Sequence, residues 1–439
     1  MTAAALSGTE AAARIASGGL TAAALAEACL ARIEALEGTV RAFAALDAGA
    51  TRAAARAADA AASRGPLHGV PFAVKDVIDT ADLPTAMGSP IWAGHRPRAD
   101  AACVALARAA GGILLGKTVT AEMAYVTPGA TTNPHHAGHT PGGSSSGSAA
   151  AVAAGMVPLA LGTQTGGSVL RPAFFCGVVG FKPSFGAIPR AGMKLMADSL
   201  DTIGLFARGV EDAAAFAAVL AGEPPAPLPA LDAPPRLALC RTHLWDDAAA
   251  EGREAVLDAA ARLRLAGVEV REMVLPLDLS ALMAARNTIN DYEIARALAH
   301  EWTWHRDALS PRLAQAIQAG WGIPLAAYRQ AQRLAETARL SFAAAMDGLD
   351  ALLVPGAAGE APAGLGHTGD SRFQGLWTLL HGPAIGLPTH RGPRGLPVGV
   401  QLVAPRHADA TLLAAAAWAM RRLGPAIPGI IPPPGRSLP

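Results

Sequence analysis

Gly162-Thr-Gln-Thr-Gly-Gly-Ser-Val-Leu-Arg-Pro172 is polar and glycine-rich, yet it runs straight into the apolar stretch Phe174-Phe-Cys-Gly-Val-Val-Gly-Phe181. A second stretch of the same kind, Pro141-Gly-Gly-Ser-Ser-Ser-Gly-Ser148, precedes it and opens into the Ala-rich run Ala149–Gly155. Flexible linkers share this composition, but linkers rarely sit between a buried helix and buried strands. Glycine in such a place lets backbone N–H groups converge on one point. A serine at the end of Thr165-Gly166-Gly167 then has its hydroxyl beside such amides. Acyl transfer needs that pairing of nucleophile and preorganised oxyanion hole.

The surrounding chain alternates helices with buried strands. Residues 9–36 read as two helices, with Leu25, Cys29, Ile33 and Leu36 at helical spacing. Arg41–Asp47 is a short strand and Ala50–Ser63 an Ala-rich helix. Gly69–Lys75 reads as a buried strand ending in a lysine, and Ala101–Ala110 then Gly112–Gly116 as helix and strand. Val157–Leu161 and Val178–Phe181 are further apolar runs. Past the Pro-rich loop Glu223–Pro235, strand patterns recur at Leu237–Cys240, Val268–Val270, Ala351–Val354, Ala384–Leu387 and Val398–Val403. Residues 280–345 form a mostly helical excursion, Ala408–Leu423 is a helix, and the Pro-rich tail Pro425–Pro439 is irregular. The pattern predicts an α/β class with a largely covered sheet, in one domain over residues 1–439.

Composition narrows the function classes. Of 439 residues, 51% are hydrophobic and 16% charged, which excludes a disordered chain. Lys plus Arg total 36 against 35 acidic residues, so no basic excess drives nucleic-acid binding. No apolar run reaches the roughly 18 residues of a membrane span. The N-terminus, with Glu10 and Arg14 in an Ala-rich pattern, lacks the form of a secretory signal. Cys29, Cys103, Cys176 and Cys240 are widely spaced, which fits a reducing cytoplasm and neither zinc nor a disulfide framework.

Three other motif readings lose to simpler ones. Gly111-Gly-Ile-Leu-Leu-Gly-Lys-Thr118 fits the P-loop pattern, but Ile113, Leu114 and Leu115 suit a buried strand where a flexible turn is required. Gly143-Ser-Ser-Ser-Gly147 fits a nucleophile elbow at Ser145, with His381 or His390 as late partners, but a loop and not a strand precedes it. His135, His136 and His139 lie in a Gly/Pro loop without metal-ligand spacing. A base for the serine remains to be found. Lys75 ends an apolar strand, and burial can lower a lysine from ~10.4 toward neutrality. The plainer reading of Lys75 is an ion pair with Asp76 or another acid.

With these residues in place, the chain resembles the amidase signature family. The likeness covers Gly69–Asp76, Gly111–Ala124, Pro141–Gly155, Gly162–Pro183, Ser199-Leu-Asp-Thr-Ile-Gly204, Trp377–Pro388 and Gly395–Leu402, in the family's order. It implies a central mixed sheet covered on both faces by helices, with a signature core over about 65–210. It further implies a Ser–cisSer–Lys triad of Ser168, Ser144 and Lys75, the two serines 24 residues apart. Thr165, Gly166, Gly167 and Ser168 would supply the oxyanion hole. No cofactor or metal is implied, and the partner is a small-molecule amide, with neither nucleic acid nor membrane. A homodimer is common in such enzymes.

Specificity is less sharply drawn. Gln164 stands where many members have Asp, and Leu170 where many have Arg, with Arg171 following. This form resembles the malonamidase-type branch, in which the arginine three residues after the nucleophile binds a substrate carboxylate. A guanidinium fork suits that task. The alternative is a structural arginine tying loops together. Tyr125, Met123 and Trp377 are candidate pocket residues, or plain core. The leading expectation is hydrolysis of a small linear amide, with some preference for an acidic acyl part. Alternatives are an amidotransferase A-type subunit working in a complex, a carbamate, ureide or aryl-amide hydrolase, and a catalytically silent binding protein.

Overall fold

Three parallel strands set the position of everything discussed below. In chain order the strands are β1 (Phe43–Leu46), β2 (Pro71–Lys75), β3 (Ile113–Thr118), β4 (Leu159–Gln164), β5 (Val179–Lys182), β6 (Thr202–Ala207), β7 (Leu237–Leu239), β8 (Val270–Glu272), β9 (Ala351–Pro355), β10 (Ala384–Arg391) and β11 (Pro397–Val403). The structure is a computed structural model that describes residues 2–62, 65–229, 231 and 233–427. Ser63 and the tail from residue 428 onward, for which a helix end and an irregular segment are expected, lie outside the described residues.

All eleven strands join one mixed sheet, ordered β1-β3-β2-β4-β6-β5-β10-β11-β9-β7-β8. β2 runs parallel to both β3 and β4, and β7 parallel to β8 and β9, while the remaining pairs are antiparallel. Every residue of β2, β3, β4, β5, β6, β9 and β11 is buried. Side chains of a strand alternate between faces, so uniform burial means that helices flank the sheet on both sides. Small residues make this close layering workable: the helix Ser146–Ala153 is buried along its whole length.

Several expected boundaries move by a few residues. The strand after the first Gly/Ser stretch extends to Gln164, so part of the second glycine-rich stretch is strand and only Thr165–Val169 is loop. β6 and the helix Val210–Ala221 carry no expectation from periodicity, because both are apolar without a distinct period. The excursion resolves into the helices Leu279–Ala297, Ala299–Trp304, Pro311–Trp321 and Leu325–Ala345. The P-loop look-alike is β3, as its Ile-Leu-Leu content dictates. Its Lys117 is buried against Asp76 at 3.2 Å and Thr85 Oγ1 at 2.6 Å.

Candidate active site

The C-terminal ends of β3, β2 and β4 gather the predicted residues. Lys75 is the last residue of β2, and its neighbour Asp76 donates its N–H to the carbonyl of Thr118 at the end of β3. Just beyond β3, the Ala121 N–H donates to the carbonyl of Ser144 at 3.0 Å, anchoring the first Gly/Ser loop there. β4 leads into Thr165-Gly166-Gly167-Ser168 beside it. The two loops are joined where the Ser145 N–H donates to the Ser168 carbonyl at 3.3 Å. The Gly143–Ser144 peptide is cis.

The serine run divides its labour. Ser145 Oγ donates to the Thr163 carbonyl, Ser146 Oγ to that of Val119, and Ser148 Oγ to that of Leu161. These three tie the loop and its helix to the sheet. Ser145 is fully buried in this role, and His381 instead bonds the Ser199 carbonyl while His390 bonds Asp258. Neither histidine partners Ser145, which removes the nucleophile-elbow reading. Ser144 alone meets the lysine: Lys75 Nζ lies 2.7 Å from Ser144 Oγ and 2.7 Å from Thr163 Oγ1.

Lys75 makes no ion pair with Asp76, because Lys117 takes that carboxylate. It is fully buried, and loss of solvent pushes its pKa down to about 7 against an upward pull from Asp201 and a further downward push from Arg171. A depressed lysine is not by itself a base. Lys182 is equally buried and also pushed down to about 7 by desolvation, yet it donates only to the carbonyls of Pro183 and Gly382. Lys75 differs in facing two hydroxyls, which can exchange protons with it.

The second loop is braced through its carbonyls. Gln164 Oε1 accepts from the N–H groups of Val169 and Leu170, capping the helix Leu170–Cys176, and its Nε2 donates to Thr378 Oγ1. Thr378 in turn donates to the Gly166 carbonyl at 2.9 Å, and Arg286 Nη2 to the Thr165 carbonyl at 3.1 Å. In a trans peptide the N–H points opposite to the C=O. The Gly166 N–H therefore points away from Arg286 and the Gly167 N–H away from Thr378. Among the described residues, the amides of Gly166, Gly167 and Ser168 donate to no protein acceptor. Thr165 Oγ1 donates to Asp201, whose carboxylate also accepts from the Met196 and Ala197 N–H groups.

Gly166, Gly167 and Ser168 border a cleft of about 320 Å³, together with Arg171, Tyr125 and Arg286. The Ser168 hydroxyl makes no hydrogen bond to protein among the described residues. Arg171 serves two ends: Nη2 donates to the Gly143 carbonyl and Thr368 Oγ1, fastening loops, while the side chain also lines the cleft and leaves its buried Nε unpartnered. Met123 and Trp377 depart from expectation. Met123 is buried in the turn Glu122–Ala124, and its successors Ala124, Tyr125 and Val126 reach the cleft. Trp377 packs against Phe342, with ring centroids 6.0 Å apart. Trp377 shares a helix face with Gln374 and Thr378, yet it is buried in the core and does not border the cleft.

A family profile described as Amidase matches residues 24–413. The chain is a member of the amidase signature family. The glutamyl-tRNA(Gln) amidotransferase A-type subunit from Chloroflexus aurantiacus is 48% identical over 230 residues, which cover 49% of this chain and 47% of that relative. In that alignment the chain spans about half the relative's length. The same protein from Anaeromyxobacter dehalogenans is 35% identical over 471 residues, covering 95% of this chain and 96% of the other. Among solved structures, an amidase matches with 33% identity and a TM-score of 0.87, over 95% of this chain and 100% of that one. No helix among the described residues is long and apolar enough to cross a membrane.

Thr163, Asp201, Gln374, Thr378 and Arg286 escape the sequence reading. Thr163 and Asp201 sit inside matched motifs, where position alone could have marked them. Thr378 likewise lies within the matched stretch Trp377–Pro388, while Gln374 and Arg286 come from distant helices outside every matched stretch.

Proposed function

We propose that this amidase family member cleaves the C–N bond of a small amide through an acyl-enzyme on Ser168. The observation that carries the reading is the Lys75–Ser144 contact of 2.7 Å at a fully buried lysine. Neutral Lys75 accepts the Ser144 proton as Ser144 Oγ accepts that of Ser168. Ser168 Oγ then attacks the carbonyl, and the amides of the Thr165–Ser168 loop, free of protein acceptors at Gly166, Gly167 and Ser168 among the described residues, hold the oxyanion. Ser144 passes a proton to the departing nitrogen, and water releases the acid by the reverse path. The relay needs Ser168 Oγ to close on Ser144 Oγ, and catalytic hydrogen bonds of this kind tighten when substrate binds. Arg171, with no carboxylate partner, suits an amide whose acyl part is acidic.

A second reading is favoured by the curated relatives: an amidotransferase A-type subunit, which would generate ammonia from an amide donor inside a complex. Both readings use the same Ser168 chemistry. Ammonia release from an amide panel by the purified chain separates them. Turnover by the chain alone, abolished in Ser168→Ala, is expected for a free amidase. Turnover only beside a partner protein would assign it to the complex. Failure of a serine-directed acylating reagent to label Ser168 in either state would sink both.

A further inference from the structure

Arg286 lies on the helix Leu279–Ala297, far in sequence from every motif. Its side chain borders the Ser168 cleft and also a second chamber of about 420 Å³ lined by His243, Asp247, Met283 and Arg372. Arg286, Asn287 and Ser371 belong to both walls, so the two spaces adjoin across this guanidinium. The group also lies over the oxyanion loop: a Cβ on Gly166 would sit 3.1 Å from Arg286 Nη2. Its hydrogen-bond partners are all neutral, namely the Thr165 carbonyl, Asn290 Oδ1 at 3.3 Å and Asn287 Oδ1 at 3.2 Å.

Neither Arg286 nor Arg171 has a carboxylate within 4.0 Å among the described residues. The acids that attract them are engaged elsewhere. Asp370, which acts on Arg171, pairs with Arg372 at 2.8 Å. Asp291, which acts on Arg286, accepts from Asn290 Nδ2 at 2.9 Å. Both arginines keep a buried Nε without a partner. Two guanidiniums that border one small cleft repel each other, and burial, the larger cause, together with the neighbouring Arg286 holds Arg171 below its ordinary pKa. An anion bound between them would relieve both the repulsion and the unmet donors.

We infer that Arg286 is a specificity-determining residue that, together with Arg171, binds the carboxylate of an amide with an acidic acyl part, such as the monoamide of a short dicarboxylic acid. The inference rests on the hydrolytic reading of Ser168, and its test keeps the two apart. Succinate, the acid that succinamate hydrolysis would leave, is titrated calorimetrically into Ser168→Ala protein, which binds without turning over. Saturable binding is expected, weakened by about ten-fold or more when Arg286→Gln is added and partly restored by Arg286→Lys, because hydrogen bonds to charged groups are stronger than those between neutral ones. In protein with Ser168 intact, Arg286→Gln should lower kcat/KM for succinamate far more than for neutral butanamide. Equal losses for the two amides, or succinate affinity unchanged by Arg286→Gln, would overturn the inference and leave Arg286 as a brace for the Thr165 carbonyl. Succinate binding that depends on Arg286 in a protein that cleaves neither amide would uphold the anion site and sink the hydrolytic reading alone.

Discussion

Lys75 Nζ lies 2.7 Å from Ser144 Oγ at the closed end of β2, on a side chain without solvent exposure. An ammonium there would lack both water and a counter-ion in contact. The uncharged amine is therefore within reach at ordinary pH, and a hydroxyl stands ready to share its proton.

The pH profile should show this directly. A protonated Lys75 cannot accept a proton, so turnover should climb as pH rises through about 7. Asp201 favours the protonated lysine. Asp201→Asn should therefore move the midpoint to lower pH, and Lys75→Ala should lower turnover by ~100-fold or more and erase the limb. The same shift affects stability. Since the folded-state pKa is below 10.5, the unfolded chain binds more protons between about 7 and 10.5, and this group's contribution to stability grows with pH across that window. Rate–pH curves of the three proteins check the limb; a midpoint unmoved by Asp201→Asn would contradict the electrostatic assignment.

Thr163 is the other partner of Lys75. Thr163→Val removes a buried hydroxyl of similar shape and leaves the amine bonded only to Ser144. Stability should fall by about 1–3 kcal/mol, with turnover dropping by roughly ten-fold, while Thr163→Ser recovers most of both. Denaturant melts and steady-state rates on the pair measure it. A valine variant with wild-type turnover would confine Thr163 to packing.

Gly167 has no room for a side chain. A Cβ there would meet Gln374 Oε1 at 2.3 Å. Gly167→Ala should push the loop off its braces and lower kcat by ~100-fold, the scale of a lost oxyanion donor. Adding Gln374→Ala, which clears the obstruction, should recover part of the rate. Recovery of stability without any recovery of kcat would separate the loop's packing from its role in the reaction.

Arg171→Gln should raise KM for an acidic amide more than for a neutral one of the same length. Some loss common to both is expected, since Arg171 also holds the Gly143 carbonyl. Matched increases for the two substrates would leave only the loop-fastening role.

Much of this site is local in the chain and hence readable from it. Glycine pairs beside serines, the lysine at a strand end and the spacing of the two loops are all properties of contiguous residues. Met123 and Trp377, expected as pocket residues or core, lie in the core beside wall or bracing residues. Met123 turns inward from a left-handed backbone position with φ 47°, and Trp377 is held by its packing on Phe342, neither of which a short stretch of sequence displays.

Alternating apolar runs and turn residues decide that this chain folds as helices on a covered sheet, because burial period and backbone freedom are written in short stretches. The ordering of β3, β2 and β4, the bracing of the oxyanion loop by Thr378 and Arg286, and the placing on one cleft of two guanidiniums without an ion pair among the described residues depend on contacts across tens to hundreds of residues. Those contacts exist only once the sheet is assembled, since strand order and helix placement are set by how all the apolar faces can be covered together and not by any one segment's own preference.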